Sequence, residues 1–60
     1  SPNIGYIVGE SGHFLKTTDG GYTWTKIDLG TFKNIFDIEK VNENTLILVG
    51  EDGFIYKYRI

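Results

Sequence analysis

Thr17-Thr18-Asp19-Gly20-Gly21-Tyr22-Thr23-Trp24 decides the reading of this chain. An acid and two adjacent glycines, closed at once by a threonine and the single tryptophan, form a hairpin signal with its own side-chain chemistry. Gly20 and Gly21 can take positive φ, and the Asp19 carboxylate can accept hydrogen bonds from backbone N–H groups a few residues on. The turn is expected to be fixed by its own side chains. Trp24 leaves it on a strand with a large apolar face and one N–H, and reads as an anchor packed beneath the turn.

Working outward, the flanking sequence repeats itself. Tyr6-Ile7-Val8-Gly9-Glu10-Ser11-Gly12-His13-Phe14-Leu15-Lys16 aligns over Ile47-Leu48-Val49-Gly50-Glu51-Asp52-Gly53-Phe54-Ile55-Tyr56-Lys57, matching Val, Gly, Glu, Gly and Lys at an offset of 41 residues. Repeats of roughly 40–50 residues built from short strands are the sequence signature of propeller blades.

The strands follow from apolar runs and turn residues. Residues 4–8 read as a strand buried on both faces, Glu10-Ser11-Gly12 as a turn, 13–18 as a second strand and 23–28 as a third. Residues 29–33 are the connector. A fourth strand is expected over 34–41, a turn at Asn42-Glu43-Asn44, a buried fifth strand over 46–49 and a hairpin at Asp52-Gly53. The last segment alternates, with Phe54, Tyr56, Tyr58 and Ile60 on one side. That row suits packing against a neighbouring sheet, although aromatics on one face can also line a ligand groove. No stretch carries a helical period.

Composition bounds the function. Sixty residues make at most one small domain, and a chain of that size buries only about 60% of the surface its unfolded form exposes. There are no cysteines to staple it, and no Cys/His pattern for a structural metal. Six basic and eight acidic residues give a net charge of −2 with no basic cluster, which argues against nucleic acid as a partner. No apolar run is long enough for a membrane-spanning helix, and Ser1-Pro2-Asn3 has neither region of a signal peptide.

Chemistry-bearing residues each have a plainer explanation. His13 is the single histidine and has no serine or cysteine constellation beside it, so it reads as a hairpin-end residue and not a general base. Ser11 in Gly9-Glu10-Ser11-Gly12-His13 misses the last glycine of a nucleophile elbow. Asp19 alone falls far short of the roughly six to eight oxygens that calcium takes. Asp28, Asp37, Glu39, Glu43, Glu51 and Asp52 lie at turns or on polar faces, where solvated charge is expected. Glu10 and Glu51 recur in register with Lys16 and Lys57, which suggests cross-strand pairs.

Thr17, Asp19, Gly21, Thr23 and Trp24 fill every fixed position of Ser/Thr-x-Asp-x-Gly-x-Thr-Trp/Phe, and the chain resembles the Asp-box, or BNR-type, β-propellers. Gly5-Tyr6-Ile7-Val8-Gly9-Glu10-Ser11-Gly12 followed by the box is most similar to the photosystem II assembly factor type. The resemblance is strong over 4–28 and moderate over 46–58. It implies an all-β antiparallel meander of one and a half four-stranded blades, with strands B-C-D in 1–29 and A-B-C in 34–60. The box would then be structural, lying between strands C and D, with no catalytic, cofactor or metal residues.

No second box follows Tyr58, so the open blades would be completed by strands from another part or copy of the chain, as propeller strands or as a homo-oligomer. The implied function is a non-catalytic binding or assembly scaffold with a possible protein partner, no cofactor and no membrane insertion, in an extracytoplasmic setting. Two alternatives stay open. One is a fragment of a sialidase-like glycoside hydrolase, although such enzymes need several arginines and a tyrosine nucleophile, and Arg59 stands alone. The other is a self-assembling propeller repeat, natural or engineered.

Overall fold

The computed structural model describes residues 2–60; Ser1, part of the N-terminal stretch read above, lies outside the described residues. The chain is all-β. Strands β1 (Gly5–Val8), β2 (Phe14–Thr17) and β3 (Thr25–Lys26) form one antiparallel sheet in the order β1-β2-β3. Strands β4 (Ile35–Asn42), β5 (Thr45–Gly50) and β6 (Ile55–Arg59) form a second in the order β4-β5-β6. Both are meanders, and residues 27–34 run between them.

The 41-residue repeat recurs in the backbone. In the first sheet Tyr6, Ile7 and Val8 pair with Lys16, Leu15 and Phe14; in the second Ile47, Leu48 and Val49 pair with Lys57, Tyr56 and Ile55. The turns between them also coincide. Ser11 sits at φ 57°, ψ 30° and Asp52 at φ 57°, ψ 32°, each followed by a glycine at positive φ, Gly12 at 75° and Gly53 at 72°. Two successive positive φ values match the right-handed twist of hairpin strands, and glycine takes the second without a Cβ clash. Each turn also holds a bulge, because Gly9 N–H donates to the His13 carbonyl while His13 N–H donates to Glu10, and Gly50, Phe54 and Glu51 repeat this.

One face of each sheet makes the core. Phe14, Leu29, Ile35, Leu46 and Leu48 are buried, with Tyr6, Val8, Ile27, Ile38, Phe54, Tyr56 and Tyr58 packed around them. Tyr58 meets the first sheet edge-on, its ring 5.0 Å from Phe14 and 6.2 Å from Tyr6. The row Phe54, Tyr56 and Tyr58 is therefore a packing face, while Ile60 at its end is 40% exposed.

Two expectations need correction. Residues 4–8 are not buried on both faces: Ile7 is 46% exposed, because the first sheet is covered by the second on one side alone. The third strand is two residues long and not six, because Thr23 is bonded into the preceding turn and the Asp28 carboxylate accepts the Gly30 N–H to begin the connector. Ile27 N–H still donates to the Phe14 carbonyl, extending the pairing by one bond.

The connector joins the sheets through Asn34. Its side-chain Oδ1 accepts the Ser11 N–H at 2.9 Å, its carbonyl accepts the Glu51 N–H at 3.0 Å, and its own N–H donates to Glu51 Oε1 at 2.8 Å. The adjacent Ile35 N–H donates to the Gly9 carbonyl. Such approach requires glycine: a Cβ on Gly50 would lie 2.3 Å from the Asn34 oxygen, whereas one on Gly9 would meet nothing within 4 Å. Both glycines have extended backbone open to any residue, so packing alone separates them. Gly50→Ala is expected to destabilise by more than about 2 kcal/mol, and Gly9→Ala to stay within about 1 kcal/mol of the parent or gain slightly. Urea unfolding of the two variants checks this.

Candidate functional site

The structure brings Thr17, Asp19, Gly21, Thr23 and Trp24 together in one turn. The Thr17 hydroxyl donates to Asp19 Oδ1 at 2.7 Å and accepts N–H groups from Asp19 and Gly21 at 3.3 and 3.0 Å. Asp19 Oδ1 also accepts the Thr23 N–H at 2.9 Å, and Oδ2 accepts the Thr23 hydroxyl at 2.6 Å. Gly20 and Gly21 take φ of 78° and 98°, which lets the chain fold around the carboxylate. The Trp24 indole N–H closes the turn on the Gly21 carbonyl at 3.0 Å.

These bonds explain the acidity of Asp19. The Thr23 hydroxyl first, then the Thr23 N–H, the Thr17 hydroxyl and the Tyr22 N–H lower its pKa from 3.8 to about 2, against a small opposing effect of desolvation. A carboxylate so fully engaged is a poor proton donor and has little capacity left for a cation. Among the described residues no group of three or more His, Cys, Asp or Glu side chains is placed to hold a metal.

Trp24 packs against the turn and is not part of the core. It is 38% exposed and lies on the open side of the first sheet, its ring within reach of a Cβ built at Gly5 or Gly21. A Cβ on Gly5 would meet the indole at an ordinary contact distance of 3.7 Å and the Thr17 methyl more tightly, at 3.3 Å. Three other polar side chains are engaged with nearby backbone. His13 Nδ1 lies 2.7 Å from the Glu10 carbonyl, Asp37 Oδ1 accepts the Ile38 N–H, and Asn42 Oδ1 accepts the Asn44 N–H.

The suggested Glu–Lys pairs do not form. Glu51 binds the Asn34 N–H, and Lys16 sits 5.8 Å above the Tyr6 ring, a cation–π contact. Asp52 instead pairs with Lys33 at 3.1 Å, exposed and worth a few tenths of a kcal/mol. Sequence reading missed Asn34, whose partners lie 17 and 23 residues away.

One cleft opens between the sheets. It has a volume of about 330 Å³ and is lined by Ile4, Tyr6, Ile38, Lys40, Glu43, Leu46 and Ile60. The Tyr6 hydroxyl is buried without a hydrogen-bond partner among the described residues.

No family model matches the chain. Over 60 aligned residues it is 32% identical to photosystem II stability/assembly factor HCF136, chloroplastic, of Oryza sativa subsp. japonica. That alignment takes in 97% of this chain and 14% of the relative's length. The similarity fits a propeller-like relation. No solved structure matches.

The turn generates two expectations. As the folded pKa of Asp19 is depressed, the carboxylate contributes stability that is complete above about pH 4 and is lost as pH falls toward 2. A 13C-carboxyl NMR titration should find Asp19 titrating near 2, and Thr23→Val should return it toward 3.8. Trp24→Ala is expected to cost about 1–3 kcal/mol in a thermal melt, below the roughly 3–5 kcal/mol of a fully buried aromatic.

Proposed function

We propose that the chain is a non-catalytic segment of an Asp-box β-propeller and serves as a binding or assembly scaffold. The Thr17–Trp24 turn is then structural, with Thr17, Asp19, Gly21, Thr23 and Trp24 as the Asp-box. The observation that carries this is the coincidence of two hairpins 41 residues apart in register, turn dihedrals and bulge. Repeated units of this kind form blades. A relative named as a stability and assembly factor supports the functional half of the reading. So does the chemistry, since Asp19, Asp28, Asp37, Asn42 and His13 are each engaged with neighbouring residues in the chain.

On this reading the first sheet supplies strands B, C and D and the second A, B and C of neighbouring blades. Strand β6 corresponds to β2, and β2 pairs on its outer side with β3. The outer edge of β6 is the matching position for an incoming strand, bound by backbone hydrogen bonds as in β-augmentation.

The test uses a synthetic peptide spanning residues 18–29, which carries the outer hairpin strand. Added to the 15N-labelled chain, it should slow amide exchange in β6 more than tenfold and leave β2 unchanged. A peptide with Thr25 and Lys26 both replaced by proline should give no protection, because proline removes the donors. Equal protection of β2 and β6, or none at millimolar peptide, would count against a scaffold completed at this edge.

A further inference from the structure

The repeat leaves its own interface half-used on either side of the molecule. Phe14, fully buried against the second sheet, corresponds to Ile55, which is 69% exposed. Leu48, fully buried against the first sheet, corresponds to Ile7, which is 46% exposed. Neither exchange reflects a change of residue class. The difference is that one member of each pair has a sheet over it and the other does not.

The register extends this from two residues to two faces. On the first sheet Tyr6, Val8, Phe14 and Lys16 share the covered face; their counterparts Ile47, Val49, Ile55 and Lys57 share the open face of the second sheet. On the second sheet Leu46, Leu48, Tyr56 and Tyr58 share the covered face; their counterparts Gly5, Ile7, Leu15 and Thr17 share the face of the first sheet that no sheet covers, where Thr17 is buried under its own turn, Trp24 lies beside Gly5 and Ile7 is exposed. The glycines mark the same two sides. A Cβ on Gly12 would run into the Thr31 carbonyl and one on Gly50 into that of Asn34, while a Cβ on Gly53 or Gly9, their counterparts, would meet nothing within 4 Å.

We infer that these open faces bind each other between copies of this chain: the Ile47, Val49 and Ile55 face of one molecule seats the Ile7, Leu15 and Trp24 face of a second. The occupant is a second copy because the internal sheet-to-sheet contact is already a docking of one such face on the other, and the intermolecular contact continues it in the same sense. The contact is heterologous, so each copy retains one free face and association proceeds past the dimer to a ring or an open series. Trp24 and the isoleucines are the apolar anchors, the residue types that dominate interface energetics when desolvated. This names the partner of the scaffold reading above and rests on it for its role; the surface itself rests on the repeat.

The experiment is sedimentation velocity of the 60-residue chain from 5 to 500 μM, with Trp24 emission read in parallel. Mass should rise beyond two copies, with a blue shift as the indole leaves water. Ile7→Asp and Ile55→Asp each remove one face at an exposed position, and circular dichroism reports whether each variant still folds. Each alone should remain monomeric over the range, and their mixture should give a 1:1 heterodimer that grows no further. The isoleucine-to-valine changes at the same positions should retain association.

A monomeric parent at 500 μM overturns the inference. So does a mixture that fails to associate, or association that survives both aspartates, which would place the contact at strand edges. The peptide test on β6 reads an edge and not these faces, so either result can fail while the other stands.

Discussion

The approach of the connector, through Thr31 and Asn34, to the two hairpin turns is the constraint on which the structure depends. A buried peptide group needs partners for its N–H and its carbonyl, and a connector wedged between two sheets has no ladder to supply them. Asn34 finds them on Glu51, while its side-chain oxygen reaches back to Ser11 in the other repeat. Gly50 lets the Asn34 carbonyl lie where a Cβ would sit, and Gly12 does the same for the Thr31 carbonyl earlier in the connector. With the connector held at both ends, the sheets have one relative placement, and that placement puts Phe14 and Leu48 in the same core. The hydrophobic contribution is larger than that of the hydrogen bonds, but the bonds decide which faces receive it.

The parts legible in the sequence are those governed by local backbone chemistry. Asp52-Gly53 and the glycines after Asp19 announce positive φ, and Ser11-Gly12 becomes readable as a turn of the same kind once the 41-residue repeat is seen. The all-β meander follows from these turns and the apolar runs between them. The Thr17–Trp24 turn was also legible in detail, because every partner of Asp19 lies within four residues of it in the chain.

What stayed hidden depends on which faces meet. A run such as residues 4–8 reads as apolar on both sides, and nothing local says that Ile7 lies on the side without a covering sheet. The exposure of Trp24 is hidden for the same reason: nothing local says that its seat beside Gly5 lies on an open face. The brevity of β3 reflects competition, since the hydroxyl and N–H of Thr23 are spent on Asp19 before a ladder can begin. Asn34 carried no signal, because an asparagine before a strand is commonplace and its partners come from both repeats.

The placement of Asp19 bears on function by elimination of alternatives within the molecule. The Asp19 carboxylate is taken up by local hydrogen bonds that shape its turn, and the side chains of Asp28, Asp37 and Asn42 each accept one nearby backbone N–H. Polar side chains thus shape turns, and the surfaces with unsatisfied binding capacity are backbone edges and apolar faces. The Asp19 turn connects the two, because the hydrogen bond from Trp24 to Gly21 holds the indole beside Gly5 on an open face. On the proposed reading, a turn that looks like a site in sequence acts on binding through the surface it positions.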